Sequence, residues 1–372
     1  MDFGFSEEQE QLRRQVRRFA DERCPMDRVR ELMDSDDAFD KQMWASMAEL
    51  GWLGLAVPEQ AGGLGLNWED VVVVAEELGR SLLPSPFLAV TTAARAVDLL
   101  GSEAQKAELL APLAEGTSVV TLAFFEDSDV IDPDGVATTA TADGDGWLTL
   151  SGTKMFVPWG QSADKLLLVA READGLSVFA VDSAAEGLTV EPLQLIDTTC
   201  RAARVSLDSV RVAADSRLGA AGQAWPLLSR ALDAGLVALC AEMVGAADGS
   251  LQLTTEFAKV RQQFGSPIGR FQGVKHRLAE IYVATESARS LTYYASWAVD
   301  HLDDAASSVA MAKEWAAEAL DRAGEEGVQL HGAIGYTWEC DAHLYYKRGR
   351  LCRNLMGSPD YQRERLLAAQ GL

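Results

Sequence analysis

Ala203-Arg204-Val205-Ser206-Leu207-Asp208-Ser209-Val210-Arg211-Val212 mixes apolar and polar side chains at the period of a strand with one face buried. Short apolar runs precede it at Val119–Phe124, Leu148–Leu150, Leu166–Ala170, Ser177–Val181 and Leu188–Leu193. Turn-forming stretches such as Asp143-Gly144-Asp145-Gly146 separate them. From about residue 118 the pattern predicts a small antiparallel β sandwich or barrel of about a hundred residues.

Outward from that block the period becomes helical. Towards the N-terminus, Ser6 and Gln9 form a capping box, Leu12, Val16 and Phe19 recur at helical spacing, and Trp44, Met47 and Leu50 continue it. Ala61-Gly62-Gly63-Leu64-Gly65-Leu66 reads as a helix-to-helix turn, because a phosphate loop would need Lys-Ser/Thr and a preceding strand. Towards the C-terminus, stretches rich in Ala, Leu and Glu predict long helices over 222–262, 272–302 and 304–331. The expected fold is α+β: an N-terminal helical domain over 1–117, a middle β domain over 118–215, and a C-terminal four-helix-bundle domain over 216–372.

The 372 residues, 48% of them apolar, suffice for two or three domains. A formal net charge of −23 argues against a nucleic-acid partner, which needs Lys and Arg gathered on one face. Cys24, Cys200, Cys240, Cys340 and Cys352 are scattered without C-x-x-C spacing and read as reduced thiols, not as a disulfide framework or zinc site. His276, His301, His331 and His343 show no metal spacing, and no metal is expected. No apolar run reaches the roughly eighteen residues of a membrane span. A cytoplasmic protein is the expectation.

Four stretches carry a more specific message. Leu50-Gly51-Trp52-Leu53-Gly54-Leu55 runs into Pro58-Glu59 and Gly62-Gly63-Leu64-Gly65; Ser151-Gly152-Thr153-Lys154-Met155-Phe156-Val157-Pro158 follows in the β block. Arg261-Gln262-Gln263-Phe264-Gly265 precedes Pro267-Ile268 and Phe271-Gln272, and Gln329-Leu330-His331-Gly332-Ala333-Ile334-Gly335-Tyr336 comes last. In this order they resemble the signatures of the acyl-CoA dehydrogenase family, over nearly the whole chain.

The resemblance implies FAD, held between the β domain and the C-terminal helices, with its adenosine diphosphate part reaching a neighbouring subunit. On that pattern Arg261, Gln263, Phe264 and Gln272, with Gln329, Leu330, Gly332 and Ala333, hold the pyrophosphate and adenosine of a partner's FAD. Arg is a planar fork for phosphate oxygens, and glycine lets backbone N–H groups approach an anion. Phe125, Phe156, Val157 and Pro158 fall where the family meets the flavin ring. Phe156 and Pro158 replace the family's Trp and Thr/Ser, and Pro158 offers neither hydroxyl nor N–H.

Dehydrogenating a thioester requires a base for the α-proton while the β-hydride moves to the flavin. Aligning Lys347–Gly357 with the segment that carries the family's glutamate puts Met356 there, and a thioether takes no proton at neutral pH. The family's other location for the base falls near Gly235. Glu242, two helical turns on, is a candidate base and equally an ion-pair partner. The basic run Lys347-Arg348-Gly349-Arg350 with Arg353 can meet phosphates or pair with local acids.

The resemblance therefore implies flavin-dependent α,β-dehydrogenation of an acyl-CoA thioester, by this chain alone or as one subunit of a heteromer. Its partners would be an electron acceptor such as an electron-transfer flavoprotein and either further copies or a homologous, glutamate-bearing subunit in a heterotetramer. A flavin monooxygenase or lyase on the same scaffold, or a non-catalytic FAD-binding partner subunit, are the other readings of a missing base.

Overall fold

The computed structural model describes residues 6–35, 39–128, 130–144 and 146–371. Residues 1–5 of the expected first domain, Asp145 of the expected turn, and residues 36–38, 129 and 372 lie outside the described residues.

The elements run α1 (Glu7–Arg23), α2 (Met26–Met33), α3 (Lys41–Glu49), α4 (Trp68–Arg80), α5 (Phe87–Leu100) and α6 (Glu103–Ala114). Then come β1 (Val120–Ala123), β2 (Thr139–Ala142), β3 (Trp147–Pro158), β4 (Lys165–Glu172), β5 (Gly175–Asp182), β6 (Leu188–Pro192), β7 (Ala202–Ala213) and β8 (Arg217–Leu218). The chain closes with α7 (Trp225–Val260), the short strands β9 (Gln262–Gln263) and β10 (Ser266–Pro267), α8 (Gln272–His301), α9 (Ala306–His331), α10 (Ala342–Asn354) and α11 (Pro359–Ala369). The capping box at Ser6 is present, with the Gln9 N–H donating to the Ser6 hydroxyl.

The chain forms two compact units that interleave along the sequence: one of Met1–Glu31, Trp68–Leu83 and Leu236–Leu372, the other of Leu32–Asn67 and Pro84–Gly235. In the second unit, β1 to β8 join one sheet in the order β6-β7-β3-β2-β4-β5-β8, with β1 on β4. Most pairs are antiparallel, as the alternation predicts, but β1 and β2 both run parallel to β4. The segment between β1 and β2 returns the chain in the same direction, so no hairpin links them. β2 itself is a run of small Thr and Ala residues, mostly exposed, without the apolar alternation that marks a strand. Leu50 is an exposed residue capping α3, whereas Trp44 and Met47 are buried as the helical period requires; the Trp44 indole donates to the Gly116 carbonyl at 3.1 Å.

The first unit is helical and is organised by the approach of α4 to α7. A Cβ at Gly245 would lie 1.8 Å from the Glu76 carbonyl oxygen, and one at Gly79 would lie 2.1 Å from that of Glu242. The backbones touch, so no side chain separates the helices. Gly245→Ala should therefore destabilise the protein by about 1–3 kcal/mol or more, the cost of overpacking. Gly273→Ala on α8, where a Cβ meets nothing within 4 Å, should be neutral or stabilise by up to about 1 kcal/mol. Urea denaturation of the two variants checks the pair.

None of the five cysteines is in a disulfide, and Cys200 alone is half-exposed; burial pushes the Cys240 thiol up to about 12. Alkylation of the native protein at mild alkaline pH should consume one thiol rapidly, and all five only after denaturation, as counted by mass spectrometry.

Candidate functional site

In the unit that contains the sheet, the Ser151–Pro158 stretch lies on β3, whose pairing with β7 slips between Lys154 and Val157. Phe156 sits in that bulge at φ +51°, and Trp159 ends the strand at φ +54°, both in the left-handed region that bulky side chains avoid. The slip sends Val157 inward and Phe156 outward, with 47% of its surface exposed. Two hydrogen bonds bring the exit of β1 to this bulge: the Met155 N–H donates to the Phe125 carbonyl at 2.8 Å, and the Thr121 hydroxyl to the Pro158 carbonyl at 2.7 Å. Phe125 packs edge-on against Phe124, whose ring stacks on Trp225 at the start of α7. The four residues expected to face a flavin ring thus lie on two segments that meet.

Between these segments runs an ion pair that the sequence reading did not single out. Lys154 is fully buried, and its Nζ donates to Glu126 Oε1 at 2.6 Å and to the Phe124 carbonyl at 3.3 Å. Burial pushes the Lys154 ammonium down to about 8, with Glu126 opposing it. Burial would raise the Glu126 carboxyl, but Lys154 and the Thr138 hydrogen bonds outweigh that and hold it below its usual value. Both groups are charged at neutral pH. A lysine inside a strand, at a position whose alternation points inward, with an acid at the exit of the strand before, was the signal available.

In the helical unit, α7 ends at Val260, and β9 and β10 form a hairpin turning at Phe264 (φ +52°) and Gly265 (φ +73°). Phe264 stands at the tip, 92% exposed, with its ring edge-on to Phe271; Arg261, Gln263 and Gln272 are exposed around it. Gln329 and Leu330 lie on the last turn of α9, and Gly332 leaves the helix at φ +68° with open space where a Cβ would stand. The ends of α7 and α9 are joined by the stacking of Phe257 on His331 at 4.2 Å, while His331 Nδ1 lies 2.7 Å from the Gly327 carbonyl oxygen. The exposed hairpin after α7 and the exposed end of α9 thus follow helix ends that are in contact, and between them carry amides, a guanidinium and open backbone. That chemistry fits a pyrophosphate and a purine.

Met356 follows α10 at φ +57°, its carbonyl accepting from Gln362 Nε2 at 3.1 Å. Lys313, buried on α9, donates to the Cys352 carbonyl and so caps the end of α10. Glu242 faces the buried Arg348, with 4.0 Å between carboxylate and guanidinium. The rest of the basic run is taken up locally: Arg350 pairs with Glu325 and Asp321, Arg353 with Asp321, and the Lys347 ammonium sits 4.3 Å from the Trp338 ring centre. A Cβ at Gly235 would run into Thr92.

Comparison with known proteins matches residues 6–117 to the acyl-CoA dehydrogenase N-terminal domain, 121–210 to the middle domain and 222–371 to the C-terminal domain. The chain belongs to the acyl-CoA dehydrogenase family. It is similar to the acyl-CoA dehydrogenase IpdE2 of Mycobacterium tuberculosis, at 34% identity over 95% of this chain and 94% of the relative. Among solved structures it is similar to the ChsE4–ChsE5 complex of M. tuberculosis, with TM-score 0.92, 28% identity, and 100% and 99% of the two chains covered. Butyryl-CoA dehydrogenase of Megasphaera elsdenii superposes with TM-score 0.92 and 25% identity over 100% of both chains.

Membership makes the chain an FAD-dependent oxidoreductase of the CH–CH class, acting on acyl-CoA thioesters. Among the described residues no helix is long and apolar enough to cross a membrane, and no cluster of three metal-ligating side chains occurs. On the resemblance's assignment of Phe156 to the flavin ring, replacing it by Gly should cut FAD affinity about tenfold, the loss of an aromatic contact worth about 1 kcal/mol or more. Thermal stability of the apoprotein should change by less than about 1 kcal/mol, because relieved left-handed strain offsets the added freedom of the unfolded chain. Flavin fluorescence and a thermal melt measure the two separately.

Proposed function

We propose that this chain works as one subunit of a hetero-oligomeric acyl-CoA dehydrogenase whose homologous partner supplies the catalytic carboxylate. The observation that carries the reading is that Met356 occupies the turn the resemblance assigns to the base, while Glu242 is directed at Arg348. FAD, when bound, supplies the acceptor for the β-hydride. The residues assigned to hold its ring are Phe125, Phe156, Val157 and Pro158. Those assigned to its pyrophosphate and adenosine are Arg261, Gln263, Phe264, Gln272, Gln329, Leu330, Gly332 and Ala333. Glu242 is assigned to its ion pair in preference to proton abstraction.

A second chain is supported by the surface around the hairpin. Val260, Phe264, Phe271, Tyr282 and Val283 are all exposed on the end of α7, the hairpin and the first half of α8. Large apolar side chains clustered in this way mark an interface. A strained, fully exposed Phe264 has no use on an isolated chain. An electron-transfer flavoprotein is the proposed electron acceptor, and the division at 117 and 215 is the proposed domain plan. Five thiols outside any disulfide fit a reducing cytoplasm.

The test is anaerobic titration with straight-chain, branched and steroid-like acyl-CoA thioesters, comparing the chain alone with the chain co-expressed with a glutamate-bearing homologue. A general base contributes about 10²–10⁴ in rate. Flavin bleaching by the chain alone should be slower than that of the complex by at least about a hundredfold. Equal bleaching without a partner overturns the reading and makes Glu242→Gln the next variant.

A further inference from the structure

We propose that Lys154 is a positioning residue for flavin binding: through Glu126 it clamps the strand that carries Phe156 to the segment that carries Phe125. The inference rests on the assignment of those two aromatics to the flavin ring.

Its ground is the geometry between β1, β2 and β3. After Ala123 the chain leaves the sheet and does not rejoin it until Thr139. Glu126 is the anchor of that excursion. Its Oε2 accepts from the Ala137 N–H at 2.8 Å, its Oε1 from the Thr138 N–H at 3.0 Å, and Oε1 also takes the Lys154 ammonium. The same ammonium holds the Phe124 carbonyl, one residue before Phe125. Lys154 is therefore bound directly to the start of the excursion and, through Glu126, to its end, two residues before the bulge residue Phe156.

Stability does not explain this choice of residues. A buried ion pair is often matched or bettered by apolar side chains of the same volume, because desolvation cancels much of the attraction. An ion pair differs from an apolar filling in fixing direction: a lysine with two oxygen partners admits one placement of the strand against the loop, whereas a leucine admits several. Neighbouring charges do not substitute for it. Arg171 from β4 is engaged with the Val136 and Pro133 carbonyls, and Arg204 from β7 reaches the Met155 sulfur. Glu126 is the charged group that acts on Lys154.

The experiment measures FAD dissociation by flavin fluorescence on dilution of whichever preparation carries FAD, the chain alone or its complex, across pH. Wild-type affinity should be constant below about 8 and weaken above it, as the ammonium loses its proton and releases Glu126. Lys154→Met combined with Glu126→Gln, which leaves no buried charge unpaired, should melt within a few degrees of wild type. It should bind FAD at least about tenfold more weakly with no break near that pH. Glu126→Gln alone should move the break to lower pH, because the carboxylate that favours the charged lysine is gone. A double variant that retains wild-type affinity overturns the proposal. If Phe156→Gly lowers affinity while the double variant does not, the flavin assignment stands and the clamp falls; if neither lowers it, the assignment itself has failed.

Discussion

The helical unit depends on the touching backbones of α4 and α7. Contact at Gly79, Gly245 and Gly249 leaves no room for side chains on the facing surfaces, so whatever α4 carries beside its glycine must go inside as well. It carries Glu76 and Glu77, both buried. Two adjacent carboxylates cannot lie in an apolar interior without cations. Three elements provide them. Arg17 of α1 binds Glu77 through two parallel bonds of 2.9 and 2.8 Å, Arg80 adds a third at 2.9 Å, and Arg289 of α8 binds Glu76 at 2.9 Å. Tyr293 donates to Glu76 and accepts from Arg13 at 2.6 Å. Burial works against the Arg289 charge, yet Glu76, Tyr293 and Glu286 outweigh it and raise its pKa; burial and then Glu76 push the Tyr293 hydroxyl up. The close crossing thus dictates the charge pattern of α1 and α8, far from it in sequence.

The sheet unit shows the same logic at smaller scale. One slip in the β3–β7 pairing reverses which side of the strand faces out, placing an aromatic at the surface and its neighbour in the core. Two left-handed residues, Phe156 and Trp159, absorb the change. Such strain persists only where the surroundings over-determine it. Here the constraint comes from the Lys154–Glu126 pair on one side and the Thr121–Pro158 hydrogen bond on the other.

Periodicity made most of this legible. The strands at β1, β4, β5, β6 and β7 and the helices α7, α8 and α9 fall within a few residues of where the apolar spacing predicts. What it did not reveal has physical reasons. β2 is too polar to alternate, and β8 is two residues long. The parallel pairings of β1 and β2 with β4 depend on chain path, which spacing does not encode. Glu76 and Glu77 follow four valines and an alanine, and nothing in the spacing marks them as buried; the glycine contact brings them inward. The Phe257–His331 stack that joins the ends of α7 and α9 lies partly outside every quoted motif.

On the proposed reading, the turn at 356 can lose a base without losing the fold. Its shape is imposed by groups that do not involve the side chain at that position: Lys313 holds the carbonyl end of α10, Gln362 holds the Met356 carbonyl, and Ser358 caps α11 through the Tyr361 N–H. A residue in the left-handed region costs about 1 kcal/mol whether it is Glu or Met, so the exchange is nearly neutral for folding. On that reading, loss of a catalytic carboxylate releases a functional constraint without adding a structural one. On the proposed reading, two homologous chains can divide the work, one keeping the base and the other keeping its contribution to the cofactor. On the same reading the hairpin and the end of α9 drift less freely, because the exposed Phe264 and open Gly332 backbone are assigned to the cofactor and a partner chain.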